Sequence, residues 1–361
     1  MNIFKTIILF LAIILLLGAA FYSYEINYPL NSRGQEREFV VNKGDGVKTI
    51  AANLKRDGLI RSELFFEAYV LVKKIQSKFK AGAYTLSPQL NMREISNIFI
   101  KGETSSKERS IKIIEGWNVR DIGNYLEYEA IVQSEEFLES VGFNGVDYSK
   151  EKEKNWPKDY SSQFSFLADK PKYAGLEGYL FPDTYRIYKD AEANDVILKM
   201  LSNFDKKLTK ELREEIRRQG RTVFEIVTLA SIIERETGRD ASTPAARQAI
   251  AEERKIVAGI FMNRLKIGMK LDSDATVNYV TGKKDPAPLL EDTRVNSPYN
   301  TYINKGLPPG PIANPSLSSI IAVIYPAKTD YLYFLHKQPS GEPVYAKTFE
   351  QHILNKNKFL K

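Results

Sequence analysis

Two glutamates, Glu234 and Glu236, stand near the end of a long apolar run, where carboxyl groups can do acid–base chemistry. Withdrawal from water disfavours the charged form of a carboxyl and raises its pKa. A glutamate kept protonated near neutrality can give a proton to a leaving oxygen and take one back later. The plain alternative is an edge glutamate paired with Arg235, Arg239 or Lys255. Composition closes off other chemistries. The 361 residues contain no Cys, which excludes a thiol nucleophile, a thiolate metal site and a disulfide framework. They contain only two His, His336 and His352, so a multi-histidine metal centre is excluded too. No metal and no cofactor are expected.

The elements that must position these glutamates are well signposted. Thr222-Val223-Phe224-Glu225 reads as a capping box that starts a helix, and Gly238 suits the left-handed position just past its end. With Ile226 at zero and about 100° per residue, Glu234 falls near 80° and Glu236 near 280°, one on each shoulder of the apolar stripe. Periodicity alone does not choose between them. Thr243-Pro244 opens the next helix, whose stripe is Ile250, Val257, Ile260, Phe261 and Leu265, and Gly268 closes it. Asp272, Asp274 and Thr276 follow. The loop NSPYNTYINKGLPPGP, from Asn296 to Pro311, has the Tyr, Asn and Gly content of a groove that hydrogen-bonds and stacks on sugars.

Upstream, the uncharged run Ile7–Tyr24 follows Lys5 and is long enough to span a bilayer as a helix. Its aromatic end, Phe21, Tyr22 and Tyr24, favours an uncleaved anchor over a cleaved signal peptide ending near Gly18-Ala19-Ala20. Either way the chain beyond Glu25 is expected outside the cytoplasm. There the net charge of +7, from 52 basic and 45 acidic residues, suits anionic lipids or wall polymers as well as plain solubility. No nucleic-acid motif accompanies it. Pro29–Glu38 reads as a linker. A small α+β unit is predicted next: a strand at Phe39–Val41, helices at Val47–Arg56, from Ser62, and at Met92–Ile100, and a strand within Phe79–Leu86. The tract Glu103–Arg109 marks a boundary. A strand at Ser110–Ile114, a helix at Val119–Tyr128, a solvated charged insert at Tyr148–Tyr160, a rigid turn at Glu177–Tyr185 and a strand at Tyr331–Leu335 complete the outline.

Several blocks stand in a recognisable order: Glu115-Gly116; Glu177-Gly178-Tyr179-Leu180-Phe181-Pro182-Asp183-Thr184-Tyr185; Leu229-Ala230-Ser231-Ile232-Ile233-Glu234-Arg235-Glu236-Thr237; Asn263-Arg264-Leu265; and Leu271-Asp272-Ser273-Asp274. Pro298-Tyr299-Asn300-Thr301-Tyr302, Gly306-Leu307-Pro308-Pro309-Gly310-Pro311-Ile312 and Pro326-Ala327-Lys328-Thr329 follow. Together they resemble the MltG (YceG-like) family of endolytic murein transglycosylases. The family often has His before Pro-Ala-x-Thr, where this chain has Tyr325.

The resemblance implies an α+β fold. Residues 1–24 would be a transmembrane anchor, 25–38 a linker, 39–106 a LysM-like domain, and 107–361 a catalytic domain with a helical lysozyme-like core plus strands. It implies cleavage of the bond between N-acetylmuramic acid and N-acetylglucosamine inside glycan strands without water. The muramyl 6-hydroxyl attacks its own anomeric carbon and leaves a 1,6-anhydro end. One glutamate can serve as acid and then base. Lytic transglycosylases typically carry it before Ser or Thr, which selects Glu236, ahead of Thr237, with Glu234 as the fallback. Asp274, Asn300, Thr301, Tyr302 and Glu177 are the substrate-binding residues that the resemblance suggests. The expected partners are glycan strands, the membrane of a single-pass inner-membrane protein, and peptidoglycan synthases or division and elongation proteins. A wall-binding scaffold of the same fold is the competing class. A hydrolase would need a second carboxylate opposite Glu236, for which Asp183 or Asp274 are candidates.

Overall fold

The computed structural model describes residues 3–31, 34–102, 108–239, 242–283 and 288–360. The chain forms two compact units, Met1–Glu108 and Arg109–Lys361. Most of the boundary tract expected at Glu103–Arg109 lies outside the described residues.

The first unit opens with helix α1 (Ile3–Asn27), whose stretch Leu9–Asn27 is long and apolar enough to cross a bilayer. The helix runs past the uncharged run Ile7–Tyr24, and Ile26 is buried in the core of the unit. Part of the expected linker is therefore helix. Its far end is strand, because β1 (Arg37–Val41) already starts at Arg37. Helices α2 (Val47–Arg56) and α3 (Glu63–Lys73) follow, then β2 (Gly82–Leu86) and α4 (Met92–Lys101). β1 and β2 pair antiparallel, with Phe39 opposite Tyr84. Both side chains face a core with Ile50, Leu54, Phe66, Val70 and Phe99. The alternation of β1 and the 3.6-residue spacing of the helices produce that core directly.

The second unit begins with β3 (Glu108–Lys112), α5 (Val119–Tyr128) and α6 (Ser134–Val141). The charged stretch Tyr148–Tyr160 is not simply solvated. It ends on Tyr160, which is buried and donates its hydroxyl to Asn194 Oδ1 at 3.1 Å. β4 (Thr184–Tyr188) pairs with β3, so the expected rigid turn runs into a strand. Helices α7 (Ala193–Lys207), α8 (Lys210–Arg218), α9 (Val223–Thr237) and α10 (Pro244–Lys266) form the body of the unit. The shorter α11 (Asp274–Thr281) and α12 (Leu317–Ile324) flank a long loop. The hairpin β5 (Tyr333–His336) and β6 (Pro343–Ala346) leads to α13 (Phe349–Phe359).

α9 is the central helix, packed by α8, α10, α11 and α12. Its start is fixed twice. Thr222 Oγ1 accepts from Glu225 N at 3.1 Å while Thr222 N donates to the Glu225 carboxylate at 2.9 Å. The Asp169 carboxylate accepts from Val223 N and Phe224 N, at 2.6 and 3.2 Å. Three backbone donors that a helix start leaves unpaired are thus satisfied. Gly178 lets the Glu177–Tyr185 block press against this helix. Its φ is +88°, and an added Cβ would stand 2.6 Å from Pro311 Cβ and 2.7 Å from Val227 Cγ1. Gly178→Ala is expected to cost about 2–4 kcal/mol from left-handed strain plus overpacking, seen as a lower denaturation midpoint.

Candidate active site

Glu234 and Glu236 leave α9 on opposite sides, into different surroundings. Glu234 is 3 % exposed. Its Oε1 accepts from Arg254 Nη2 at 2.6 Å. Its Oε2 accepts from Ser316 N at 2.9 Å, Ser316 Oγ at 2.5 Å and Ser319 Oγ at 2.7 Å. Arg254 is held in turn by Thr237 Oγ1 at 3.2 Å and Ser316 Oγ at 3.0 Å. A carboxylate paired and bonded on every side is a structural clamp between α9, α10 and α12. None of the partners expected from sequence holds it. Arg239 pairs with Glu253, Lys255 with Glu252, and Arg235 donates to the Gly116 carbonyl.

Glu236 is half-buried and opens on a cleft of about 460 Å³. Arg264, Asp272, Asp274, Tyr302, Tyr333 and His336 line it with Glu236. The Ser273 hydroxyl donates to Glu236 Oε1. Ser273 is itself placed by Thr301, whose Oγ1 accepts from Ser273 N at 3.0 Å and lies 2.9 Å from Thr276 Oγ1. Tyr302 donates to Asp274 Oδ1 at 2.5 Å. The loop carrying these residues is pinned by Asn300. Its amide donates to Thr293 O and Val295 O at 3.0 and 2.8 Å, and its Oδ1 accepts from Tyr302 N at 3.0 Å.

Of the residues expected to bind, Asp274 and Tyr302 therefore share the cleft with Glu236. Asn300 and Thr301 are buried behind it and shape the wall. Glu177 lies elsewhere. It borders a small cavity of about 50 Å³, accepts from Val119 N and Asn314 Nδ2 at 3.2 Å each, and is pushed up to about 8 by burial. Asp183 lines a separate cleft with Lys112, Glu115 and Arg239, and accepts from Asn203 Nδ2 at 3.0 Å.

Electrostatics separates the forces on Glu236. Burial raises its pKa, and the nearby Asp274 carboxylate adds to the rise. The Ser273 hydroxyl, His336 and the Ala275 N–H at the start of α11 pull the other way. The balance is upward. Such a group is protonated more readily than a free glutamate, yet it has donors ready to receive its charge when the proton leaves. His336 is held by Glu253, whose Oε1 lies 2.7 Å from His336 Nε2 and 2.9 Å from Arg239 Nη1. Burial presses the Glu253 carboxyl upward, but these two partners outweigh it and hold the group low.

Sequence reasoning missed Ser273, Arg264, Tyr333 and His336. Ser273 sits between Asp272 and Asp274, and a lone serine beside two carboxylates carries no pattern of its own. His336, one of only two histidines, ends a strand and reaches the cleft only through the β5–β6 hairpin. Gly238 follows α9 in an extended conformation, not a left-handed one, with φ −65° and ψ 109°. A Cβ there would stand 2.6 Å from the Glu234 carbonyl oxygen, so close approach explains the glycine. Among the described residues, no group of three or more His, Cys, Asp or Glu side chains could hold a metal ion.

A half-buried carboxyl, bonded to a hydroxyl and open to a cleft of aromatic and charged side chains, defines a site for acid–base chemistry on a polar ligand. The chain belongs to the YceG-like family, whose sequence model matches residues 39–358. It is 31% identical over 348 residues to an endolytic murein transglycosylase of Bacillus subtilis, covering 96% of this chain and 91% of that protein. It is 29% identical over 365 residues to an endolytic murein transglycosylase of Streptococcus pneumoniae, covering 96% of this chain and 63% of that one. The fold is similar to the crystal structure of a yceG-like protein from Listeria monocytogenes, with TM-score 0.56 and 30% identity over 89% of this chain and 98% of that one.

Proposed function

We propose that this protein is a membrane-anchored lytic transglycosylase that cuts peptidoglycan glycan strands internally, with Glu236 as both acid and base. The observation that carries the reading is the contrast on α9: Glu236 opens on the cleft, while Glu234 is sealed in a salt bridge. Protonated Glu236 gives its proton to the glycosidic oxygen, and the bond from that oxygen to the muramyl anomeric carbon breaks. The carboxylate left behind is stabilised by Ser273 and the Ala275 N–H. It then takes the proton of the muramyl 6-hydroxyl as that oxygen bonds the anomeric carbon. The 1,6-anhydro ring closes, Glu236 is protonated again, and no water is consumed. Asp274 with Tyr302 forms one wall of the sugar site, and Asn300 and Thr301 hold that wall in place. Glu177 supports the fold around Asn314 instead of touching substrate.

The rest of the reading follows the same line. α1 anchors the protein as a single pass in the cytoplasmic membrane, with the chain beyond about Glu25 outside the cytoplasm. The β1–α2–α3–β2 order supports a LysM-like first unit, and the helical body around α9 supports a lysozyme-like core. Synthases or division and elongation proteins are the expected partners.

Mass spectrometry of the ends made on purified glycan strands tests the reaction. Ends one water lighter than hydrolysed ends are expected. Reducing ends would indicate a water-using hydrolase, and no new ends would indicate a scaffold. The pH profile tests the electrostatics. Activity that needs protonated Glu236 falls as pH rises through its pKa. His336 holds that pKa down, so His336→Ala is expected to move the alkaline limb of kcat/KM to higher pH.

A further inference from the structure

Helix α3 is apolar on two faces. At about 100° per residue, Phe66, Tyr69 and Val70 share one side, and all three are buried in the core of the first unit. Leu64, Phe65, Ala68, Leu71 and Val72 fall on the opposite side within an arc of about 120°. On that outer face Leu64 is 71 %, Leu71 58 % and Val72 70 % exposed. A surface helix of a water-soluble domain carries polar residues there, so this stripe marks a surface that another phase or molecule covers.

The stripe is continuous with α1. Phe65 meets Phe21 edge-on, with ring centroids 5.6 Å apart, and Tyr22 at 6.0 Å. Arg61, just ahead of α3, lies over the Tyr24 ring at 5.3 Å and donates to Tyr28 O at 3.1 Å. α1 is one unbroken helix to Asn27, and its Ile26 is part of the core of the unit, so helix and unit are joined rigidly. A span of about 20 residues ends near Phe21–Tyr24, and aromatic residues of that kind sit at the headgroup level. Phe65 touches α1 at that same level.

We propose that α3 is an interfacial helix that lies on the lipid bilayer at the exit of α1. Leu64, Leu71 and Val72 enter the boundary between headgroups and acyl chains. The inference rests on the reading of α1 as a membrane span. It goes beyond an anchor at the end of a tether: the first unit is held against the membrane by a second, separate contact.

The absence of Cys allows single-cysteine labelling of the full chain. Leu64→Cys, Leu71→Cys, Val72→Cys and, within α1, Leu16→Cys would carry an environment-sensitive fluorophore. Each would be reconstituted in vesicles of phosphatidylcholine and phosphatidylglycerol, with and without doxyl-labelled lipid. The expected result is blue-shifted emission, quenched by doxyl lipid, at all four positions. Quenching at 16 with water-like, unquenched emission at 64, 71 and 72 would overturn the docking while the span stands. No quenching at 16 would overturn the span, and the docking with it. Blue-shifted but unquenched emission at 64, 71 and 72, lost as protein is diluted in the vesicles, would assign the face to a second copy of the chain and overturn the proposal.

Discussion

Glu236→Gln is expected to lose about 10³-fold or more of the glycan-cleaving rate and to remain folded. General acid–base groups contribute about 10²–10⁴-fold, and a group serving both proton transfers belongs at the upper end of that range. A loss of 10³ corresponds to about 4 kcal/mol of transition-state stabilisation. Glutamine keeps the shape of the side chain and an oxygen that accepts the Ser273 hydroxyl, so the wall built by Thr301 and Thr276 stays in place. It removes only the proton to be given and the charge that takes one back. Single-turnover cleavage of purified strands, read beside a thermal melt, checks both halves. Activity within tenfold of the parent would remove Glu236 from the chemistry. A melt lowered by more than a few degrees would make the variant uninformative about it, and Glu236→Asp, which keeps the acid on a shorter arm, would then carry the test.

The two glutamates show what was legible in the sequence and what was not. The start of α9 was legible, because capping chemistry is local: Thr222 closes with Glu225 within one turn, as Asn91 with Glu94 and Asn118 with Asp121 do at starts where the sequence outline names no cap. The shoulder positions of Glu234 and Glu236 were legible for the same reason. What separates the pair comes from far along the chain. Ser316 and Ser319 lie 82 and 85 residues beyond Glu234, and Ser273 lies 37 beyond Glu236. No local pattern encodes which shoulder meets an arginine and which meets a cleft. The family-like blocks carried part of that information without its geometry. Asn314 shows how two of them meet in space. It accepts from Gly116 N and Leu180 N and donates to Trp117 O and Glu177 Oε1, so the Glu115-Gly116 and Glu177–Tyr185 blocks close on one residue. The resemblance suggests Glu177 as a binding residue; the structure buries it and bonds it to Asn314 and Val119. The short α6, α12 and α13 are absent from the sequence outline, and the last of these lines the cleft through Phe349, His352 and Lys356.

Arg254→Ala is expected to destabilise the second unit by about 3–5 kcal/mol, because it leaves the Glu234 carboxylate buried without its cation. For a unit of this size that is a fall in midpoint of roughly 10 °C. Glu234→Gln alone is expected to cost as well, since it strands the Arg254 guanidinium. The combination Glu234→Gln with Arg254→Ala removes both charges, and it should be milder than the sum of the single changes, the sign of a coupled pair. Thermal denaturation of the three variants checks this. Additive effects, or an Arg254→Ala cost below about 1 kcal/mol, would mean that the pair is not what closes α9 onto α10 and α12. The clamp also bears on catalysis. Glu234 and Glu236 share the last turn of α9, and Thr237, which accepts from Arg254 Nε, follows Glu236 directly. Loosening the clamp lets that turn fray, and Glu236 then loses its register with Ser273 and its partial burial. The variants should therefore lose kcat even at temperatures where they remain folded, with the alkaline limb of the pH profile moving to lower pH as the Glu236 carboxyl gains water. A clamp variant that keeps the parental pH profile would show that Glu236 is positioned by the Ser273 wall alone.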